Sequence, residues 1–186
     1  ETSAETLAAA ALGAFPVYDF DNTDFILSFG ARLLEGWGSQ GDMHKSFISW
    51  KSKGVKLVQV DTNCSRTASL ADQWVAVKPG TEGILAMGIA NYLISRKKLS
   101  SSGEGFAKWA QVVVNEYELK DVAQLTGVAE DKIKELAEAF SRAKRPMAVA
   151  GKGAQGVNAS AAEIIAVYAL NSLVKTGAVS LKKYAA

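Results

Sequence analysis

Three stretches carry residue types whose order along the chain can do binding chemistry. Gly30 ends the apolar run Phe25-Ile-Leu-Ser-Phe29. A backbone without Cβ at that point lets a phosphate reach main-chain N–H groups, although a plain turn glycine accounts for it as well. Asp61 closes the next apolar run, Val55-Lys-Leu-Val-Gln-Val60. Nucleotide-binding sheets place an acid there to accept hydrogen bonds from a ribose diol, and a helix-capping aspartate is the alternative. Lys78-Pro79-Gly80-Thr81-Glu82 is a tight turn with Thr81 as a helix cap and Glu82 in the first helical turn, where the macrodipole favours a carboxylate. The same carboxylate can accept two parallel hydrogen bonds from the N1–H and N2–H₂ edge of guanine. Sequence alone does not choose between these readings.

A fourth stretch, Gly151-Lys-Gly-Ala-Gln-Gly156, matches G-x-G-x-x-G after an apolar run and before a helical pattern. The acid expected about 20 residues later is missing, since that region reads Lys175-Thr-Gly177. Close backbone packing or a phosphate contact is the better reading. With one cysteine and one histidine, the chain holds no all-protein Cys/His zinc site and no cysteine-ligated iron–sulfur cluster. His44 reads as a packed or solvated helix residue and Cys64 as an ordinary thiol, while Trp37, Trp50, Trp74 and Trp109 read as core or edge anchors. Asp19, Asp21 and Asp24 read as turn chemistry. No catalytic residue and no metal ligand is assigned.

Strands and helices must alternate to position these loops. Apolar runs at 25–29, 55–60, 74–77 and 147–150 read as strands. Helical periodicity covers 3–14, 42–53, 82–96, 104–115, 119–125, 131–143 and 159–174, with a short turn at 66–72. That order predicts a Rossmann-like three-layer α/β/α domain with a mostly parallel central sheet, spanning 1–186 as one unit. Ligands then belong outside the strand C-termini, at loops 30–35, 61–66, 78–82 and 151–156. The 21 Lys+Arg against 19 Asp+Glu leave a net charge of +2, no footprint for nucleic acid. No apolar run approaches the roughly 20 residues of a membrane span, so no direct membrane contact is expected. The opening at Glu1 without Met, and without a basic leader, reads as a piece of a longer protein whose compartment neither end reveals.

Four segments together resemble, in order and spacing, the molybdopterin oxidoreductases of the dimethyl sulfoxide reductase, formate dehydrogenase and polysulfide/thiosulfate reductase group. They are Asp24-Phe-Ile-Leu-Ser-Phe-Gly-Ala-Arg-Leu-Leu-Glu-Gly-Trp37, Val60-Asp-Thr-Asn-Cys-Ser-Arg-Thr-Ala-Ser-Leu-Ala-Asp-Gln-Trp74, Val77-Lys-Pro-Gly-Thr-Glu-Gly83 and Arg145-Pro-Met-Ala-Val-Ala-Gly-Lys-Gly153. The resemblance implies one of two central α/β domains that clamp a bis(molybdopterin guanine dinucleotide) cofactor, bis-MGD, with molybdenum or tungsten. It places Gly30, Ala31 and Arg32 at the pyrophosphate and pterin side, Asp61 at the guanosine ribose, and Gly80 and Glu82 at the guanosine end. The iron–sulfur cluster and the metal ligand would lie outside this piece, which would be inactive alone. Expected partners are the remaining domains of the parent, an iron–sulfur electron-transfer subunit and a membrane subunit.

The departures point to a second reading. The family often has Asn where Arg32 stands, Pro-Arg where Thr62-Asn63 stand, and Asp where Glu82 stands. Some relatives in respiratory membrane complexes keep the fold without molybdenum, and the chain resembles those as well. The segment Ala143–Gly153 is also similar to the middle domain of thiamine-diphosphate enzymes, a reading that the Asp61–Glu82 region opposes.

Overall fold

The computed structural model describes residues 3–97, 99, 105–151, 159–174 and 178–183. Its elements in order are α1 (Ala4–Leu12), β1 (Ala14–Tyr18), β2 (Phe25–Phe29), α2 (Gln40–Lys53), β3 (Lys56–Asp61), α3 (Arg66–Leu70), β4 (Gln73–Ala76), α4 (Glu82–Ser95), α5 (Phe106–Glu116), α6 (Leu119–Thr126), α7 (Glu130–Arg142), β5 (Pro146–Ala150), α8 (Ala161–Leu173) and β6 (Val179–Lys183).

The four strands expected from sequence form one parallel sheet in the order β4-β3-β2-β5. Every residue of β2 and of β5 is buried, which is why both read as unbroken apolar runs. Alternation along the strands builds two cores. Leu27, Phe29, Val58, Val60 and Ala148 face α4, α7 and α8, while Ile26, Leu57, Met147 and Val149 face Met43 and Trp50 of α2. The three-layer α/β/α architecture follows directly. Each fully buried Leu, Ile or Phe contributes about 1.5–3 kcal/mol of transfer free energy, so the central strands are the least replaceable part of the domain.

Helix ends follow local chemistry. Ser3, Ser39, Ser65 and Ser160 cap α1, α2, α3 and α8 through their hydroxyls, each a contribution of about 1 kcal/mol. Gly13 and Gly54 close α1 and α2 in the left-handed conformation. The cap expected at Thr81 does not form: its hydroxyl instead donates to the Lys78 carbonyl at 2.7 Å, tying the Pro-Gly turn together.

Two strands have no counterpart in the sequence reading. β1 and β6 pair antiparallel as a separate two-stranded ribbon, and α1 stops at Leu12 rather than at residue 14 because the ribbon begins there. Pro16 in β1 hides this strand from a pattern reading, yet a ribbon consists only of edges, where proline is tolerated.

Candidate functional site

The chain runs β2, β3, β4 to one side and then returns with β5 on the other side of β2, so the topological switch lies between β2 and β5. Crevices at such switch points, outside the strand C-termini, are where ligands bind in this architecture. Gly30 stands there with φ 61° and open space where a Cβ would project. Aromatic side chains narrow the crevice beside β5, leaving a cavity of about 180 Å³ lined by Tyr18, Trp37 and Ala150 among others. Trp37 lies against Gly151, whose Cβ position would be 2.7 Å from the indole, and Tyr18 of the ribbon packs edge-on against Trp37. Burial, with a smaller contribution from Tyr168, raises the Tyr18 pKa.

The loop after Gly30 is pinned by α3. The Leu34 N–H donates to Thr67 Oγ1 at 3.1 Å, and the Thr67 N–H donates to Glu35 Oε1 at 2.8 Å. A turn between Arg32 and Glu35, closed by a 2.9 Å backbone bond, sets the direction of the Arg32 side chain. Arg32 has φ 43°, the one positive value at a non-glycine residue among the described residues. That conformation costs about 1–2 kcal/mol at a residue with a Cβ, and something must hold it there.

Asp61 holds it. Arg32 is 7% exposed and Asp61 2% exposed. The guanidinium Nε donates to Asp61 Oδ2 at 3.3 Å and Nη2 to Oδ1 at 3.5 Å, a loose two-point contact. Nη2 also donates to Asn63 Oδ1 at 2.9 Å. The rest of the Asp61 carboxylate is occupied from within the domain: Oδ1 accepts the Thr62 N–H at 2.8 Å, and Oδ2 accepts the Gln59 Nε2–H at 3.4 Å. Gln59 was not singled out from sequence. Its signal was a polar residue inside an apolar strand, two positions from Asp61 and therefore on the same face. Ser28 is its register partner on β2, and Ser28 Oγ and Gln59 Oε1 are buried without a hydrogen-bond partner among the described residues.

Glu82 lies on the same rim and is 3% exposed. Burial raises its pKa, and the Asp61 charge adds to the rise, while backbone N–H groups of Gly80, Thr81 and Glu82 itself oppose it. Beside it lies Glu163 of α8, a second residue the sequence reading passed over. Gly83 brings the two helix starts together, with its Cβ position 3.2 Å from Glu163 Cα and Cγ. Burial pushes the Glu163 carboxyl up to about 7, and the Glu82 charge adds to that. An open cleft of about 430 Å³ adjoins them, lined by Gly80, Ile84, Met87, Trp109, Tyr117 and Glu163 among others.

The other residues considered from sequence take structural places. Asp24 accepts the backbone N–H groups of Lys144 and Arg145, and Asp19 pairs with Arg145 at 3.0 Å. His44 Nδ1 lies 2.9 Å from the Gln40 carbonyl within α2, and Cys64 is exposed and free. Trp50 is core, whereas Trp74 is 41% exposed and donates its indole N–H to the Asp61 carbonyl at 3.1 Å. Residues 152–156 of the glycine-rich stretch lie outside the described residues. No metal-binding cluster of His, Cys, Asp or Glu occurs among the described residues. No helix among them is long and apolar enough to cross a membrane.

The rim thus combines two open glycines, Gly30 and Gly80, with four buried residues, Ala31, Arg32, Asp61 and Glu82. The backbone suits a diphosphate. The acids do not suit its nucleoside, because Asp61 has no free acceptor for a ribose diol and Glu82 is withdrawn from the surface. As arranged, these side chains do not fit a guanine dinucleotide.

A four-stranded parallel sheet covered by helices on both faces defines an α/β/α domain of the Rossmann-like class. The family model described as molybdopterin oxidoreductase matches residues 2–185, and the chain belongs to that family. A menaquinone reductase molybdopterin-binding-like subunit of Nitratidesulfovibrio vulgaris is 33% identical over 162 residues, covering 84% of this chain and 23% of that protein. Formate dehydrogenase H of Escherichia coli is 29% identical over 142 residues, 74% of this chain and 19% of that one. Among solved structures, acetylene hydratase from Pelobacter acetylenicus matches with a TM-score of 0.72 at 22% identity, over 96% of this chain and 25% of its own. That similarity is one of fold. The chain spans about a quarter or less of the length of each of these relatives.

Proposed function

We propose that the chain is a central α/β domain of a larger redox-complex subunit, in which it serves as a structural element without a molybdopterin dinucleotide of its own. The observation that carries this reading is the buried Arg32–Asp61 pair, which satisfies from within the acid that would address a guanosine ribose. Trp37 packed against Gly151 supports it by narrowing the crevice beside the end of β5. The name of the Nitratidesulfovibrio relative, a molybdopterin-binding-like subunit of a menaquinone reductase, is consistent with it. On this reading 1–186 is a single domain, its partners are the rest of the parent chain and the electron-transfer and membrane subunits of the complex, and the domain alone turns nothing over.

A second reading has its own observation. Gly30 and Gly80 leave room for a diphosphate, and Asp61 and Glu82 lie close enough on one rim for the charge of one to raise the pKa of the other. In that reading Gly30, Ala31, Arg32, Asp61, Gly80 and Glu82 hold one guanine dinucleotide of bis-MGD in an oxidoreductase whose cofactor supplies the redox chemistry. Molybdenum, tungsten and pterin analysis of the purified full-length protein separates the two. The structural reading expects none of the three in stoichiometric amount; a full complement of pterin and metal would overturn it.

A further inference from the structure

Building on the structural reading, we propose that Arg32 is an internal substitute for ligand. Its guanidinium fills the acceptors with which Asp61 would bind a ribose diol, and so closes the Asp61 end of the rim to a guanosine diphosphate.

The atoms of Asp61 show why one side chain suffices. A carboxylate offers about four acceptor positions, and here two on each oxygen are used. Thr62 N–H and Gln59 Nε2–H, one on each oxygen, belong to the sheet and its end. The other two, again one on each oxygen, both come from Arg32. Removing that guanidinium therefore frees one acceptor on each oxygen, side by side, which is the spacing of a vicinal diol. At the glycine, the Cβ position of Gly30 meets no atom of the described residues within 4 Å.

The loop does not depend on arginine. It is held to α3 by the bonds of Leu34 and Glu35 to Thr67, neither of which involves the Arg32 side chain. The left-handed φ of Arg32 is one that Asn or Gly adopts with less strain. The ion pair, with the Asn63 contact, thus holds an arginine at a position whose backbone favours a smaller residue. Next to the acceptors stands Trp74, anchored by its N–H to the Asp61 carbonyl with its ring part-exposed. An indole fixed at that edge gives a purine base a face on which to stack.

The test uses the full-length protein and guanosine diphosphate as probe. In calorimetric titration the wild-type protein shows no binding up to about 1 mM, while Arg32→Asn and Arg32→Gly bind at least about tenfold more tightly than that limit. Adding Asp61→Asn to either variant abolishes the gain. Because removing one partner of a buried pair can unfold the chain, a thermal melt of each variant first establishes that it is folded. Hydrogen exchange on the wild-type protein gives a readout that needs no variant: guanosine diphosphate leaves residues 30–35 and 59–63 unprotected. Protection of those segments, no gain in the folded variants, or a gain that survives loss of Asp61 would each overturn the inference. Stoichiometric pterin in the wild-type protein would remove the structural reading; absence of pterin combined with no gain in the Arg32 variants would remove this inference alone.

Discussion

Two parts of one rim handle buried charge in opposite ways. At the ends of β2 and β3, Asp61 lies beneath Arg32, and every acceptor it has is taken. At the starts of α4 and α8, Glu82 and Glu163 sit together with no ion-pair partner among the described residues, and both carboxyls are pushed toward protonation. Favourable helix dipoles act on both acids of the second pair, yet desolvation, with the Asp61 charge acting on Glu82 and the Glu82 charge on Glu163, outweighs about 1 kcal/mol of dipole attraction. A charge inside this fold is thus either matched by an opposite charge from a neighbouring loop or held back from ionising.

The largest expected effect strikes the matched side. Asp61→Ala leaves the Arg32 guanidinium buried without its counter-charge and lowers stability by about 3–5 kcal/mol in urea denaturation; a loss under about 1 kcal/mol would mean that the pair is solvated. Gly151→Ala, at φ 136° and against the Trp37 ring, costs about 2 kcal/mol by the same measurement, and an unchanged midpoint would show the crevice to be looser than described.

The unmatched side is probed by pH. The folded Glu163 carboxyl titrates near 7 against an ordinary 4.5. Between those values the native state holds more protons than the unfolded chain, so stability falls as pH rises through the window and levels off above it. Discounting for partial contact with water, the loss is about 1 kcal/mol. Glu163→Gln flattens that slope and is the more stable protein at pH 8, as thermal melts at pH 5 and pH 8 will show; an unchanged slope removes the contrast. Smallest of all, Ile48→Ser on the exposed side of α2 changes stability by less than about 0.5 kcal/mol, because that side chain is 69% exposed and belongs to neither region.

The parallel sheet was readable because β2, β3 and β5 are buried on both faces and appear as apolar runs between turn residues. The ribbon was not, because Pro16 masks β1 and because β6, Val-Ser-Leu-Lys-Lys, has no partner near it in sequence. The candidate acids were legible singly, Asp61 and Glu82 by their places at strand and helix ends. Their condition was not. That Arg32 turns inward depends on a left-handed backbone and on Asn63 across the loop pair, and no spacing encodes a contact between residues 29 positions apart. Glu163 escaped notice for a similar reason: it looks like an ordinary first-turn acid until Gly83 draws α8 against α4.

A double-mutant cycle on Arg32 and Asp61 tests the closure of the rim most directly. With Arg32→Met, Asp61→Leu and the pair together, urea denaturation should give a coupling energy of about 2 kcal/mol or more, with the double variant more stable than the Asp61→Leu single variant. Additivity within about 0.5 kcal/mol would mean that the two side chains do not hold each other, and the closed rim would fall with them.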